Sequence, residues 1–211
     1  MKLLLATTNQ GKLGEIRALL AGCAVELVTL NDLPPIVEPE EAGDTFEENA
    51  RLKALYYAAR SGLRAVAEDS GLVIDALDGE PGVRSARYVR PDASYAERFA
   101  SIFSRLDARA DRPRTARFVC ALAVADGTRV MFETTGTVEG IVASAPSGAG
   151  GFGYDPIFHY PPYGATLAEV SDEAKRAVSH RGQAFHRLAA WLERSPATNH
   201  QPINQPTTTN H

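Results

Sequence analysis

The chain has 211 residues, 44% of them hydrophobic and 23% charged, proportions that suit a soluble globular protein with one substantial core. Its formal net charge of -4 argues against broad binding to nucleic acid or to a membrane surface, since both are polyanions that recruit a lysine and arginine surplus. The two cysteines, Cys23 and Cys120, have no metal-binding or redox spacing and read as reduced, buried thiols.

The opening apolar run, residues 2–6, is too short for a secretory signal, and no run approaches the ~20 apolar residues of a membrane span, so a cytoplasmic protein is expected. That run reads as a strand. Thr7, Thr8, Asn9, Gln10, Gly11 and Lys12 follow as a polar turn, and Leu13, Ile16, Leu19 and Leu20 then recur at helical spacing. Free amides and the helix dipole at such a turn favour an anion, and Lys12 adds a full charge there. The same residues also suit simple helix capping, and their spacing is not that of a Walker loop. Residues 25–30 read as a second strand, parallel to the first across the helix.

An acidic loop carries Glu38, Glu40 and Glu41, and Thr45 with Glu48 three positions on forms a capping-box pattern that opens a helix running to Gly62. Acids before a helix suit its dipole; on a loop they also suit a divalent cation. The apolar run 64–68 reads as a strand ending in Glu68 and Asp69 before a Ser70-Gly71 turn. That ending places a carboxylate at the carboxyl edge of the sheet, where open α/β sheets bind ligands. The segment 81–88 reads as irregular and Ser94 as the start of a further helix. Residues 115–125 and 129–139 are two long strands joined by Asp126-Gly127, a strong hairpin signal.

The stretch 148–158, GAGGFGYDPIF, suits neither helix nor strand. Its glycines bare the backbone, and Phe152, Gly153, Tyr154 and Asp155 offer flat faces and one carboxylate, a wall for a flat anionic ligand or else a long turn. A helix over about 166–177 carries Lys175. Ser179, His180 and Arg181 interrupt it before a closing amphipathic helix with Phe185, Leu188, Ala189 and Trp191 on its apolar face. Residues 195–211 hold almost nothing to bury and are expected to be a disordered tail, leaving 1–194 as a single two-lobed domain.

Five motifs in this order resemble the inosine triphosphate pyrophosphatase family: TTNQGK at 7–12, EEAGDTFEENA at 40–50, AEDSGL at 67–72, GGFGYDPIF at 150–158, and Lys175 with SHR at 179–181. PGVRSARY at 81–88 supports them, and the resemblance covers nearly the whole chain apart from the tail. It implies an elongated mixed β-sheet flanked by helices, an α/β fold of two lobes with the active site in the cleft between them. It also implies a homodimer and hydrolysis of inosine, deoxyinosine and xanthosine triphosphates to the monophosphate and pyrophosphate. By the same resemblance, Thr7, Thr8, Asn9, Gln10, Gly11, Lys12 and Lys53 hold the phosphates. Mg²⁺ is held by Glu40 or Glu41 together with Asp69, and Asp69 is also the base for the attacking water. Ser70, Phe152, Gly153, Tyr154, Asp155, Lys175, His180 and Arg181 contact the nucleotide. A donor such as Arg181 also suits the O6 acceptor of a 6-oxopurine, where adenine presents an amino group.

Two departures stand out. Many members of that family carry two aspartates where this chain has Glu68-Asp69, and glycine is common in the middle of the first loop, where this chain reads Thr-Thr-Asn. The competing readings are a pyrophosphatase of other modified nucleoside triphosphates and a nucleotide-binding sensor that has lost catalysis.

Overall fold

The computed structural model describes residues 1–194, so the expected tail lies outside the described residues. Seven strands form one mixed sheet in the order β2-β1-β3-β4-β5-β6-β7. β1 (Lys2–Leu5) lies parallel to β2 (Glu26–Thr29) and to β3 (Arg64–Ile74). β3 pairs antiparallel with β4 (Thr115–Asp126), and β4 turns at Gly127 into β5 (Arg129–Val142), as the hairpin signal predicts. Two short strands, β6 (Phe158–Tyr160) and β7 (Ala165–Thr166), close the far edge.

Helix α1 (Gln10–Leu19) joins β1 to β2, and α2 (Phe46–Ser61) joins β2 to β3. The Thr45 and Glu48 capping box is formed, with the Thr45 side chain accepting from the Glu48 amide and Glu48 reaching back to the Thr45 amide. Helix α3 (Tyr95–Asp107) starts at Ser94 with a capping box of its own. Helices α4 (Asp172–Val178) and α5 (His180–Arg194) complete the described chain. No helix among the described residues is long and apolar enough to cross a membrane.

The period-two alternation of the strands sorts the apolar residues onto the two faces of the sheet. Leu3, Leu5, Val66 and Leu122 pack under α1 and α5, against Leu13, Ile16, Phe185 and Leu188. Leu4, Ala65, Ala67 and Ala123 pack against α2, whose Ala50, Ala54 and Ala58 let it lie close to the sheet. A third core joins the distal ends of β3, β4 and β5 to α3, through Leu72, Ile74, Phe118, Val138, Phe99, Ile102 and Leu106.

Three expectations change. β3 does not stop before Asp69; it runs from Arg64 to Ile74, and Glu68, Asp69, Ser70 and Gly71 each pair with β4. The Ser-Gly signal for a turn is overridden because this segment is flanked and buried on the way into the third core. The helix expected over about 166–177 is the shorter α4, with Ala165 and Thr166 taken up as β7. Cys120 is buried as expected, whereas Cys23, beyond the end of α1, is only partly so.

Candidate active site

The unequal lengths of β1 and β3 create the site. The last β1 to β3 partners are Leu5 and Val66, so the edge of β3 beyond Val66 has no β1 residues beside it. A cleft lies along that edge, where the part of the sheet covered by α1, α2 and α5 meets the part covered by α3. Successive β3 side chains alternate. Glu68 and Ser70 turn towards α1 and α5, and Asp69 turns towards α2.

On the α1 side, Asn9 is the N-cap, its Oδ1 accepting from the Lys12 amide at 3.1 Å. Thr7, Thr8 and Asn9 line the cleft next to Lys12, whose Nζ lies 3.5 Å from Glu68 Oε1. On the α2 side, Lys53 Nζ donates to Glu41 Oε1 at 2.6 Å and to Asp69 Oδ1 at 3.4 Å. Asn49 Nδ2 donates to Asp69 Oδ2 at 3.1 Å, while its Oδ1 accepts from the Gly43 amide and so ties the acidic loop to α2. Burial pushes the Asp69 carboxyl above the usual aspartate value, and Lys53 only partly offsets it. Burial acts on Glu41 in the same sense, but Lys53 and then Arg87 overcome it and hold that carboxyl below the usual value.

The other wall is an ion-pair network. Arg181 is buried, donating through Nε to Glu68 Oε1 at 2.8 Å, through Nη1 to Glu15 Oε2 at 2.6 Å and through Nη2 to Ser70 Oγ at 3.0 Å. Glu68 Oε2 also accepts from the Cys120 thiol at 2.9 Å. Burial alone would raise the Glu68 carboxyl; Arg181 and then Lys12 hold it well below the usual glutamate range. Lys175 Nζ is held by Asp155 Oδ2 and Glu15 Oε1, both at 2.6 Å, and Asp155 Oδ2 accepts from the Phe152 amide to close the glycine loop. The Phe152 ring lies under two cations, 4.7 Å from Lys175 Nζ and 5.4 Å from the Arg181 guanidinium carbon. His180 stacks on Phe118 with ring centroids 4.9 Å apart, and its buried Nδ1 has no partner among the described residues. Burial, reinforced by Arg181, holds the imidazole well below its usual pKa and therefore neutral.

Most of the residues singled out in the sequence converge here. Thr7, Thr8, Asn9, Lys12, Glu41, Lys53, Asp69, Ser70, Phe152, Gly153, Tyr154, Asp155, Lys175, His180 and Arg181 all line the cleft. Gln10, Gly11 and Glu40 do not. Gln10 begins α1 with its amide turned back to the Thr8 carbonyl at 3.4 Å, Gly11 sits beneath the Phe152 ring, and Glu40 is exposed. Tyr154 reaches the cleft only as part of its wall: its ring packs against Tyr95 and Phe99, and its hydroxyl donates to the Ser85 carbonyl at 2.8 Å. Sequence reasoning missed Glu15, Asn49 and Arg87, although the capping box one turn before Asn49 and the cation-rich PGVRSARY segment were signals for two of them.

The Ham1 family model matches residues 3–191. A dITP/XTP pyrophosphatase of Geobacter sulfurreducens is 48% identical over 187 residues, covering 89% of this chain and 94% of that protein. Another, of Symbiobacterium thermophilum, is 49% identical over 198 residues, covering 93% of this chain and 95% of its own length. Among solved structures, a HAM1 protein from Coxiella burnetii superposes with a TM-score of 0.84 at 39% identity, covering 92% of this chain and all (100%) of that one. With a family match over nearly the whole described chain and relatives this similar at full length, the chain belongs to the Ham1 family.

Proposed function

We propose that the protein hydrolyses nonstandard purine nucleoside triphosphates, those of inosine, deoxyinosine and xanthosine, to the monophosphate and pyrophosphate, drawing on the cytoplasmic nucleotide pool. The names of its relatives support this reading, and so does one observation: a single cleft brings the cations Lys12 and Lys53 and the Asp69 carboxylate together with the Phe152 ring, His180 and Arg181, Lys53 meeting Asp69 on the α2 side and Lys12 meeting Glu68 on the α1 side. The first group suits a polyphosphate and the second a flat base.

Glu41 and Asp69 are the fitting pair for Mg²⁺. Both are hard oxygen donors, they share the Lys53 ammonium, and Asn49 fixes Asp69 while leaving Oδ1 towards Lys53. Among the described residues no cluster of three or more His, Cys, Asp or Glu side chains is ready to hold a metal. Two carboxylates completed by phosphate oxygens and water match the habit of Mg²⁺, which demands octahedral oxygen coordination and keeps several waters. When bound there, the cation polarises the phosphate and lowers the pKa of a nearby water.

Asp69 accepts the proton of the water that attacks the α-phosphorus, the bond from the α-phosphorus to the bridging oxygen breaks, and pyrophosphate leaves. Lys12 and Lys53 neutralise charge on the phosphates, and Lys175 holds the glycine loop through Asp155. Arg181 has five N–H donors and three protein acceptors, which leaves donors for a purine O6 carbonyl. The unpartnered His180 Nδ1 offers a second polar contact to the base.

Pyrophosphate release from a panel of nucleoside triphosphates, with and without Mg²⁺, tests the reading. Fast Mg²⁺-dependent release from inosine and xanthosine triphosphates, slow release from adenosine triphosphate, and loss of turnover in Asp69→Asn with binding retained are expected. Near-normal turnover in Asp69→Asn removes Asp69 as the base. The reading also includes a homodimer, which light scattering on the eluting protein checks; a monomer alone would remove it.

A further inference from the structure

We propose that Arg87 is a substrate-binding residue that guards Glu41 in the free protein and transfers to the triphosphate when it enters. The inference rests on the function proposed above and deepens it. Arg87 Nη1 donates to Glu41 Oε2 at 2.7 Å and Nη2 to the Glu41 carbonyl at 3.4 Å, while Lys53 holds Oε1. Both oxygens of the carboxylate that suits a metal are thus engaged by protein cations.

The two guards differ. Lys53 is almost buried, its side chain 9% exposed, and it is also tied to Asp69; the Arg87 side chain is 39% exposed at the cleft and has no carboxylate partner besides Glu41 among the described residues. Its backbone is fixed all the same. Ser85, two residues earlier, takes three hydrogen bonds: its Oγ donates to the Gly82 carbonyl at 2.6 Å and accepts from the Leu72 amide at 3.0 Å, and its carbonyl accepts from Tyr154. A long guanidinium on a fixed base can swing from one acceptor to another without disturbing the fold.

Charge gives the swing its direction. Among the described residues, five carboxylates and five lysine or arginine side chains line the cleft, so the free site is near neutrality. A triphosphate adds several negative charges and needs both a free cationic donor and a divalent cation. Moving Arg87 from Glu41 to a phosphate supplies both at once: a bidentate donor for the phosphate, and a carboxylate oxygen released for the metal. Metal and triphosphate should therefore bind cooperatively, each favouring the state with Arg87 withdrawn from Glu41.

Calorimetry on the full chain provides the test, with Mg²⁺ alone, inosine monophosphate, and an inosine triphosphate analogue bearing a non-hydrolysable α,β-bridge, for the wild type, Arg87→Gln and Arg87→Lys. In Arg87→Gln, the expected results are analogue affinity down about tenfold, the value of one charge-assisted contact, monophosphate affinity unchanged, and Mg²⁺ bound more tightly than by the wild type. Arg87→Lys should restore part of the analogue affinity. An analogue affinity that does not change, or a loss shared equally by the monophosphate, overturns the transfer; Mg²⁺ affinity that stays the same or weakens overturns the guarding. If the wild type binds no purine nucleotide at all, it is the function proposed above that fails, a different outcome from either.

Discussion

Glu68 shows how one side chain can be placed by its surroundings and not by its motif. Adjacent acids invite a shared metal role, but the strand sends Asp69 to the α2 side and Glu68 into the α1 and α5 side, where Arg181, Lys12 and the Cys120 thiol surround it. The longer glutamate reaches the guanidinium from β3. Glu68→Gln leaves Arg181 and Lys12 short of an anion in a buried site, and a loss of about 3–5 kcal/mol in urea unfolding is expected. A loss below about 1 kcal/mol would mean that Glu15 alone suffices for Arg181. His180 carries a pH signature. The unfolded chain binds a proton near the ordinary histidine pKa of 6.5, whereas the folded imidazole, lowered mainly by burial, does not. Stability therefore falls as pH drops below about 6.5, by up to about 1.4 kcal/mol per unit. Unfolding curves between pH 8 and 5.5 should be steeper in pH for the wild type than for His180→Asn. Parallel curves would show that the folded imidazole takes up its proton normally.

At the scale of elements, the glycines separate contact from convenience. Gly136 on β5 lies against the start of α5, and a Cβ there would stand 2.1 Å from the His180 carbonyl oxygen and 2.9 Å from the Ala184 amide nitrogen. Backbone cannot give way as a side chain can, so Gly136→Ala should cost about 3 kcal/mol and, by shifting α5, reduce nucleotide turnover as well. Gly14, inside α1 and exposed, has nothing within 4 Å of its Cβ position, and Gly14→Ala should instead add about 0.5–1 kcal/mol at unchanged turnover. Chemical denaturation of both variants, with turnover measured alongside, separates the two cases. The same contrast between local and distant causes decides what was legible in the sequence. The Thr45 capping box, the Asp126-Gly127 hairpin and the strand, turn and helix around Asn9 are set within a few residues, and each was readable. The passage of β3 through Asp69 was not, because pairing with β4 and burial in the third core override a local Ser-Gly signal. Glu15 was equally hidden. On α1 it reads as a solvated helix residue, and it becomes part of the site only because Arg181, 166 positions away, arrives on α5.

Across the whole molecule, β3 and its partner β4 both contribute to all three cores, and the cleft lies along the free edge of β3 where it passes between them. The start of α1, the loop at 150–155, α4 and the start of α5 are tied together and to β3 there by ion pairs: Lys12 with Glu68, Lys175 with Asp155 and Glu15, and Arg181 with Glu15 and Glu68. These contacts are polar and local openings in such regions cost less than global unfolding, whereas the centre of β3 is paired on β4 and buried. A nucleotide spanning the cleft would bridge these segments. With the non-hydrolysable inosine triphosphate analogue and Mg²⁺ at about 100 times Kd, linkage gives about 2.7 kcal/mol, and for a chain of this size a rise of about 5–11 °C in Tm. Hydrogen exchange should slow at 7–12, 150–155 and 180–183 and stay unchanged at the β4 to β5 turn, which is remote from the cleft lining. Uniform slowing across the chain would indicate global stabilisation without local bridging. Slowing confined to α2 and the acidic loop would mean that the ligand engages the Glu41 and Asp69 wall alone, leaving the Arg181 side out of recognition.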